Sequence, residues 1–321
     1  MSPNIAETAD AAVQAHSRIR QHIYETPLIP ARTVGKDQNA KVLFKAENFQ
    51  LTGSFKLRGA MSKMSSMSDE SRLITASSGN HGIGAACASK SLGKNLTVAL
   101  PENVVPSKLA KIQYYGVEVI LHGAETGLAE QHAQHLASSG NYTYVSPYND
   151  PEIIAGQGTI GIEILEQCDR VDNVFISMGG GGLVSGIGSV LKTRSPKTKV
   201  YGVSAANSKS LADSMVAGRV IETEHKDTLA DAVAGGIDND TITLPLARAV
   251  IDRVIECDEA EIKAALKELA FAENMLVEGA AALALAGFTN VAQEVAGQTS
   301  VIVLCGANYN QQVVTKAIFE S

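Results

Sequence analysis

The chain has 321 residues, roughly twice the ~150 residues of a typical domain, so its length predicts about two domains. Apolar residues make up 45% and charged residues 19%, which excludes a disordered or fibrous protein, and the net charge of −7 argues against a nucleic-acid binder. Four cysteines share no CxxC spacing, and the start MSPNIAETAD lacks the basic and apolar regions of a signal peptide. We therefore expect a cytoplasmic protein without a disulfide framework.

Taken in chain order, the sequence alternates short β-rich runs with longer helical ones. The first predicted helix covers residues 10–22, where Ala12, Ala15 and Ile19 recur near helical spacing. The predicted strands that follow are 41–45, 73–76, 96–100, 118–121, 174–178, 199–203 and 300–304. The predicted helices between them are 82–91, 107–115, 127–139, 158–167, 183–193 and 259–273. This alternation predicts βαβ units and parallel sheets.

The expected architecture is an α/β fold with two domains. The segment 73–149 holds three strand–helix units and is predicted to form a small inserted domain, while 1–72 and 150–321 form the large one. Three predicted strands end directly in small or polar residues. Since ligands of parallel α/β sheets bind beyond the carboxyl ends of the strands, these ends predict one shared site.

A run of four glycines at 179–182 follows the strand 174–178 and precedes a helix. Glycines there let backbone N–H groups approach a ligand closely, and the helix N-terminus favours an anion, so the run predicts a phosphate site. The uncharged stretch 174–191 is long enough for a membrane span, but its six glycines favour a strand entering a loop. The run itself does not fit G-x-G-x-x-G, because the last glycine would fall on Val184 or Ser185, and no Gly-Lys-Ser/Thr follows it, which argues against a nicotinamide-binding oxidoreductase and a nucleotide loop.

Lys56 lies between Phe55 and Leu57 among small residues. A lysine is usually a solvated surface charge, but these neighbours could bury its ammonium group. Burial lowers a lysine pKa and makes the neutral amine available for Schiff-base chemistry. Together with a phosphate site, such a lysine points to pyridoxal 5'-phosphate.

Two further strand ends carry polar residues. The sequence SSGNHG at 77–82 offers hydroxyl, amide and turn N–H groups that could hold a carboxylate, although it also fits an ordinary helix N-cap. Cys305 follows the strand 300–304 and by itself would be read as a buried cysteine.

The order SFKLRGA at 54–60, SSGNHG at 77–82, GGGGL at 179–183 and CGAN at 305–308 resembles the serine/threonine dehydratase family. These are pyridoxal phosphate enzymes of the tryptophan synthase β-like fold, also called fold type II, and the resemblance extends from about residue 19 to 317. It implies dehydration and deamination of a β-hydroxy-α-amino acid, such as threonine or serine, to a 2-oxo acid and ammonia. Lys56 would be the Schiff-base lysine and would take the Cα proton.

The resemblance also implies the remaining site residues. Phe55 would lie beside the cofactor ring, Asn80 would contact its phenolic oxygen, and Cys305 would face its nitrogen. The implied cofactor-binding residues are Phe55, Lys56, Asn80, Gly179, Gly180, Gly181, Gly182, Leu183, Gly236 and Cys305. The implied substrate-binding residues are Ser77, Ser78, Gly79, His81 and Tyr148.

Ser78 leaves the reaction type open. In racemases of this family a serine at this place acts on the cofactor face opposite the lysine, whereas many dehydratases carry alanine. We therefore count Ser78 as a candidate catalytic residue beside Lys56, and we keep amino-acid racemase as an alternative function.

Metal-dependent members of the family carry acidic ligands just after the strand matching 199–203, beginning with a glutamate. This chain has Ser204 there and no carboxylate until Asp213, so we expect no divalent metal site of that kind. The stretch from 202 to 236 looks closest to hydroxyectoine-utilisation dehydratases, which leaves a hydroxyectoine-pathway dehydratase as a further alternative.

The expected partner is a small-molecule hydroxyamino acid, with no nucleic acid and no membrane. The family commonly forms dimers, so we expect a homodimer. A cofactor-binding module without turnover is a further reading, but the presence of Lys56, Asn80 and Cys305 together argues against it.

Overall fold

The structure is a computed structural model that describes residues 4–319 as strands alternating with helices. The strands are β1 (Leu28–Pro30), β2 (Lys41–Lys45), β3 (Arg72–Ala76), β4 (Asn95–Leu100), β5 (Glu118–Leu121), β6 (Thr143–Tyr144), β7 (Asn173–Ser177), β8 (Lys199–Ala205), β9 (Arg253–Cys257) and β10 (Thr299–Val303). The helices are α1 (Ile5–Ile19), α2 (Lys56–Ser65), α3 (Asn80–Leu92), α4 (Pro106–Gln113), α5 (Thr126–Ser138), α6 (Pro151–Gln167), α7 (Gly182–Arg194), α8 (Ser210–Ala217), α9 (Thr243–Val250), α10 (Glu259–Phe271), α11 (Gly279–Val291) and α12 (Gln311–Phe319).

A six-stranded sheet has the order β1-β2-β10-β7-β8-β9. Its strands run parallel except β1, which pairs with β2 in the antiparallel sense at one edge. Strand β10 lies inside the sheet, where Val301 pairs with Leu43 on one side and with Val174 on the other. The apolar helix α11 contacts this sheet and is buried along most of its length, as expected for a helix that is hydrophobic all round.

A second, four-stranded sheet has the order β5-β4-β3-β6 and is parallel throughout. Its strands lie between Arg72 and Tyr144, whereas the six-stranded sheet takes strands from both flanking parts of the chain. The predicted parallel sheets are confirmed. The division into a domain of 73–149 and a domain of 1–72 and 150–321 stays a prediction.

All seven predicted strands are present, and those at 41–45 and 118–121 have the predicted bounds. The helix predicted over 10–22 lies at Ile5–Ile19 instead, because Asn4 and Glu7 form a capping box that begins it earlier. The helix predicted from residue 158 begins at Pro151, because Asp150 accepts hydrogen bonds from the first turn. The sequence analysis missed β1, β6, β9, α2, α8, α9, α11 and α12.

A buried network of charges lies beneath the first turn of α2. The Arg58 guanidinium contacts Glu47 at 2.8 Å and Glu163 at 2.6 Å, and Lys45 Nζ contacts Glu163 at 2.5 Å. None of these four side chains is more than 1% exposed. Burial lowers the pKa of Arg58, but the two carboxylates outweigh it and raise the pKa above its ordinary value.

The uncharged stretch 174–191 forms β7, a glycine turn and α7, as the strand-and-loop interpretation predicted. Among the helices of residues 4–319, none combines the length and the apolar character that crossing a bilayer requires.

Candidate active site

One cavity of about 620 Å³ gathers the residues that the sequence singled out. It opens at the carboxyl ends of β3, β7 and β10, as expected for parallel sheets. The predicted residues that line it are Phe55, Lys56, Ser77, Ser78, Gly79, Asn80, His81, Tyr148, Gly179, Gly180, Gly181, Gly182, Leu183, Gly236 and Cys305. The structure thus brings the whole predicted set together, while the individual roles stay predictions.

Lys56 is the first residue of α2, and its Nζ donates a hydrogen bond to the Pro147 carbonyl oxygen at 2.7 Å. The same atom lies 5.2 Å from the centre of the Phe55 ring. Burial lowers the pKa of Lys56 to about 8, against opposing effects of Cys305 and Glu278. An appreciable fraction of this lysine is therefore neutral, and nucleophilic, near pH 7.

The glycine run forms a tight turn into the N-terminus of α7. Gly181 is the N-cap with φ +87°, a left-handed conformation that favours glycine. A Cβ added at Gly180 would lie 2.5 Å from Cγ of Tyr148, so glycine lets the tyrosine ring pack on the turn. The first N–H groups of α7 have no acceptor within the helix, and they make an anion site at this wall of the cavity.

A second helix N-terminus, that of α3, faces the same cavity. Gly79 is its N-cap, and the Gly79 N–H donates to Ser77 Oγ at 3.2 Å. The His81 ring turns away to Thr75 and Val145, where its Nε2 lies 2.9 and 3.0 Å from their oxygens. Burial and the nearby Lys56 lower the pKa of His81 to about 3, so this ring is neutral and anchors the turn.

Glu278, just before α11, joins the two sides of the site. Its carboxylate accepts from Asn80 Nδ2 at 2.9 and 3.1 Å and from the Asn308 N–H at 3.0 Å. Burial raises the pKa of Glu278 to about 7, although these hydrogen bonds oppose the shift. Cys305 Sγ lies 4.0 Å from Glu278 Oε1, and burial together with this carboxylate raises the pKa of the thiol well above its ordinary value. Cys305 is therefore a neutral thiol.

The loop 231–238 closes the side of the cavity next to the glycine run. A Cβ added at Gly179 would lie 2.9 Å from Cα of Val233, so loop and glycine run are in close contact. The Asp238 N–H donates to the Tyr148 hydroxyl at 2.7 Å. Beside Gly236, by contrast, an added Cβ would meet no protein atom within 4 Å.

Sequence reasoning gave no role to several residues that line the cavity. Asn308 lies within the CGAN sequence, and its Nδ2 donates to Asn80 Oδ1 at 2.8 Å, so that motif could have revealed it. Gln157 lies on α6, is 1% exposed, and leaves its Oε1 without a partner, and no sequence signal marks it. Further polar residues of the lining are Lys108, Thr126, Glu130, Ser177, Asp231 and Asp238.

The residues fit pyridoxal phosphate. The cavity contains a lysine of lowered pKa that can react with the cofactor aldehyde. It also contains a glycine turn at a helix N-terminus that can hold the phosphate, and a neutral thiol that can lie against the ring nitrogen. Within residues 4–319, no three His, Cys, Asp or Glu side chains are placed to hold a metal ion together.

Known proteins resemble this chain over nearly its whole length. The L-threonine ammonia-lyase of Thermotoga maritima is 34% identical over 314 residues, 97% of this chain and 78% of the relative. The L-threo-3-hydroxyaspartate ammonia-lyase of Saccharomyces cerevisiae is 32% identical over 311 residues, 96% of this chain and 95% of the relative. The structure of the processed form of threonine deaminase isoform 2 from Solanum lycopersicum superposes with a TM-score of 0.92 at 30% identity, over 97% of this chain and 92% of that one.

These similarities confirm the predicted fold class and cofactor. Residues 19–306 also match the family model described as "Pyridoxal-phosphate dependent enzyme". The match spans the cavity-lining residues from Phe55 to Cys305 and both sheets. The chain therefore belongs to the family of pyridoxal-phosphate dependent enzymes.

Proposed function

We propose that this chain is an ammonia-lyase that uses pyridoxal phosphate to dehydrate and deaminate a β-hydroxy-α-amino acid of the threonine or serine type. The products are a 2-oxo acid and ammonia. The observation that carries the proposal is the position of Lys56 Nζ, with its lowered pKa, in one cavity with the N-termini of α3 and α7. Relatives and a structural neighbour named for threonine or hydroxyaspartate deamination support the same chemistry.

Two anion sites orient the reactants. The glycine run and Leu183 hold the cofactor phosphate at the start of α7, where backbone N–H groups and the helix dipole favour negative charge. Ser77, Ser78 and the N–H groups that begin α3 hold the carboxylate of the amino acid. With both anions held in this way, the substrate Cα would lie in the same cavity as Lys56.

When bound, the cofactor draws electron density away from the substrate Cα, which acidifies its proton. Lys56 Nζ takes up that proton as a general base, a role that suits an amine of pKa about 8. The β-hydroxyl would leave with a proton as water, and a water molecule would then hydrolyse the resulting enamine to the 2-oxo acid and ammonia.

Three residues tune the cofactor ring. Phe55 would lie beside it, Asn80 would contact its phenolic oxygen, and Cys305 would face its nitrogen. The neutral thiol of Cys305 does not hold a proton on that nitrogen as a carboxylate would, so the ring withdraws electrons less strongly. Prompt loss of a β-leaving group suits such a ring better than a long-lived carbanion.

The test is ketoacid release by the cofactor-loaded protein from L-threonine, L-serine, L-threo-3-hydroxyaspartate and an ectoine-derived hydroxyamino acid. We expect 2-oxobutanoate from L-threonine and a loss of at least about 10³-fold in Lys56→Ala, because the general base is removed. Release of ketoacid only from the ectoine-derived compound would assign the chain to the hydroxyectoine pathway. No ketoacid from any of the four would refute the proposal.

Ser78 keeps racemisation as a second candidate, because its half-buried side chain lines the same cavity as Lys56. If Ser78 moves a proton on the opposite face, L-serine yields D-serine, and Ser78→Ala abolishes the D-enantiomer while ketoacid release continues. Chiral analysis of residual serine separates the two activities. Enantiomer appearing faster than ketoacid would make racemisation the principal reaction.

We also propose that the protein is a cytoplasmic homodimer with serine dehydratase activity. All four cysteines are free, which fits a reducing compartment. Phe271 and Phe319 form an exposed edge-to-face pair, 59% and 71% exposed, of the kind that a second copy covers. Sedimentation velocity of wild type and of Phe271→Ser/Phe319→Ser tests the dimer.

A further inference from the structure

The serine-rich stretch after β8, which lacks the carboxylates of metal-dependent relatives, makes a hydrogen-bonded ring around Gly235. Gly235 belongs to the loop 231–238 that lines the cavity. Its N–H donates to Ser208 Oγ at 3.0 Å, and its carbonyl oxygen accepts from Ser210 Oγ at 2.9 Å. Both serines are buried, at 2% and 4% exposure. Two side chains therefore hold both polar backbone groups of one residue in the cavity wall.

His225 connects the two serines from the solvent side. Its Nδ1 lies 2.9 Å from Ser208 Oγ, and its Nε2 lies 3.5 Å from Ser210 Oγ. Thr223 Oγ1 adds a 2.7 Å contact to Ser210 Oγ. The histidine is held in place because the neighbouring Lys226 N–H donates to the Asn207 carbonyl oxygen at 2.8 Å.

The number of hydroxyl protons determines which group donates and which accepts in each hydrogen bond of this ring. Ser210 has one hydroxyl proton and gives it to Gly235, so it accepts from Thr223 and from His225 Nε2–H. His225 Nδ1 then carries the lone pair that accepts from the Ser208 hydroxyl, while Ser208 accepts from the Gly235 N–H. These hydrogen-bond directions are assigned from the number of protons that each group carries. They give every donor of the ring an acceptor, from the Gly235 N–H to the Gly235 carbonyl oxygen.

The opposite end of the same loop is fixed separately. Asp238 accepts from Asn149 Nδ2 at 3.0 Å, and its N–H donates to Tyr148. Gly236 and Ile237 lie between the two attachments, and both line the cavity. The position of this wall therefore depends on both attachments.

We propose that Ser208, Ser210 and His225 are positioning residues that hold the cavity loop at Gly235 and preorganise it for the amino-acid substrate. The inference rests on the proposed function for its kinetic test. Without the ring, substrate binding must order the loop and KM rises, whereas Lys56 and the phosphate site keep their places and kcat changes little. The residues that line the cavity include Gly235 but not Ser208, Ser210 or His225, so these three side chains act through Gly235.

The experiment compares cofactor-loaded Ser208→Ala, Ser210→Ala, His225→Ala and His225→Asn with Ser189→Ala. Ser189 is the matched control, because its hydroxyl is buried on α7 and has no hydrogen-bond partner. We expect each serine variant to raise KM for the preferred substrate about fivefold to tenfold, as for one lost hydrogen bond, with kcat within about threefold. His225→Asn should recover part of the loss in His225→Ala, since its amide oxygen can accept from Ser208.

Limited trypsin digestion gives a readout that needs no turnover. Arg219 and Lys226 stand on either side of Thr223 and His225, the two residues that contact Ser208 and Ser210. We expect trypsin to cleave at Arg219 and Lys226 at least about fivefold faster in Ser208→Ala than in Ser189→Ala. Equal cleavage and equal KM in these two variants would overturn the proposal. So would loss of bound cofactor with a melting temperature lowered by more than about 10 °C, which would make the ring a folding element. If wild type turned over no substrate, the proposed function would fail while digestion still decided the positioning role.

Discussion

The side chains of Asn80 and Glu278 meet through two hydrogen bonds of 2.9 and 3.1 Å, although 198 residues separate them along the chain. Asn80 begins the helix that follows the first strand of the four-stranded sheet, and Glu278 precedes the helix buried against the six-stranded one. The contact therefore links the two sheets directly at the cavity. It also places a buried carboxylate next to the residue that we assign to the cofactor ring.

Glu278 should make the protein less stable as pH rises from about 4.5 to about 7. Its pKa is about 7 in the folded protein and near 4.5 when unfolded, so over this range the folded state binds more protons. Stability therefore falls with rising pH, by up to ~3 kcal/mol for this group, and is constant above its folded pKa. In Glu278→Gln this contribution disappears.

Urea unfolding of the cofactor-free protein between pH 4.5 and 8 measures the effect as the difference between wild type and Glu278→Gln. The exposed Glu102→Gln is the control and should leave the slope unchanged. A difference that is flat across the range would mean that Glu278 is ionised throughout.

Lys56 should set the pH dependence of cofactor uptake. With a pKa of about 8, about one lysine in ten is neutral at pH 7, against fewer than about one in a thousand for an ordinary lysine. The rate of covalent attachment to the cofactor aldehyde should rise about tenfold from pH 6 to 7 and level off above pH 8. Stopped-flow absorbance on mixing cofactor-free protein with pyridoxal phosphate measures it.

A simple alkylamine treated in the same way corrects for titration of the cofactor itself, and Lys56→Ala should show no attachment. A protein rate that keeps rising in parallel with the alkylamine to pH 10 would contradict the lowered pKa.

Gly180→Ala should weaken cofactor binding at least about tenfold. Its new Cβ would lie 2.5 Å from Cγ of Tyr148, so either the ring or the phosphate turn must move. The double variant Gly180→Ala/Tyr148→Ala should recover part of the affinity, because it removes the ring that the methyl group meets. Fluorescence titration with pyridoxal phosphate gives the dissociation constants.

Gly127→Ala serves as the control, since an added Cβ there meets no atom within 4 Å. If the double variant bound the cofactor no better than Gly180→Ala, the steric explanation would be wrong.

Arg58→Met should cost about 3–5 kcal/mol of unfolding free energy, because it leaves the buried Glu47 and Glu163 without their shared partner. Arg58→Lys should recover little, since one ammonium cannot reproduce paired contacts to two carboxylates. Chemical denaturation measures both. The exposed Arg248→Met should change stability by less than about 0.5 kcal/mol, and a similar value for Arg58→Met would show that the network adds nothing.

Much of this fold could be predicted from the sequence, because its strands are short β-rich runs and several of them end in glycine turns. Strands such as Lys41–Lys45 were predicted with correct bounds because apolar β-formers stand between polar breaks. Helix α2 was missed, because Gly59, Ser62 and Lys63 interrupt its apolar spacing and tertiary packing decides its conformation. Strand β9, with the sequence RVIEC, is only five residues long and contains two charged residues, so its apolar pattern is too short to stand out.

Site residues could be predicted where the residue type itself indicates the chemistry. Lys56 and the glycine run carry their chemistry in the sequence itself. The roles of Glu278, Asn308 and His225 depend instead on which residues the fold places beside them. The Glu278 carboxylate links the two sheets only because Asn80 lies within hydrogen-bond distance, and no local sequence pattern encodes that distance. His225 lies in a polar stretch whose sequence resembles any exposed loop.

The interior place of β10 has a consequence for how the protein matures. Strands β2 and β7 meet only through β10, which is made more than 120 residues after β7, so the six-stranded sheet stays open at its middle until β10 has been made. Cys305 and Asn308 follow this strand and reach the cavity later still. Such distant pairing makes folding slow and leaves unpaired strand edges exposed meanwhile. A nascent chain can therefore complete its cofactor site only after residue 308 has left the ribosome, and chaperone protection of β2 and β7 until then would raise the yield of active enzyme.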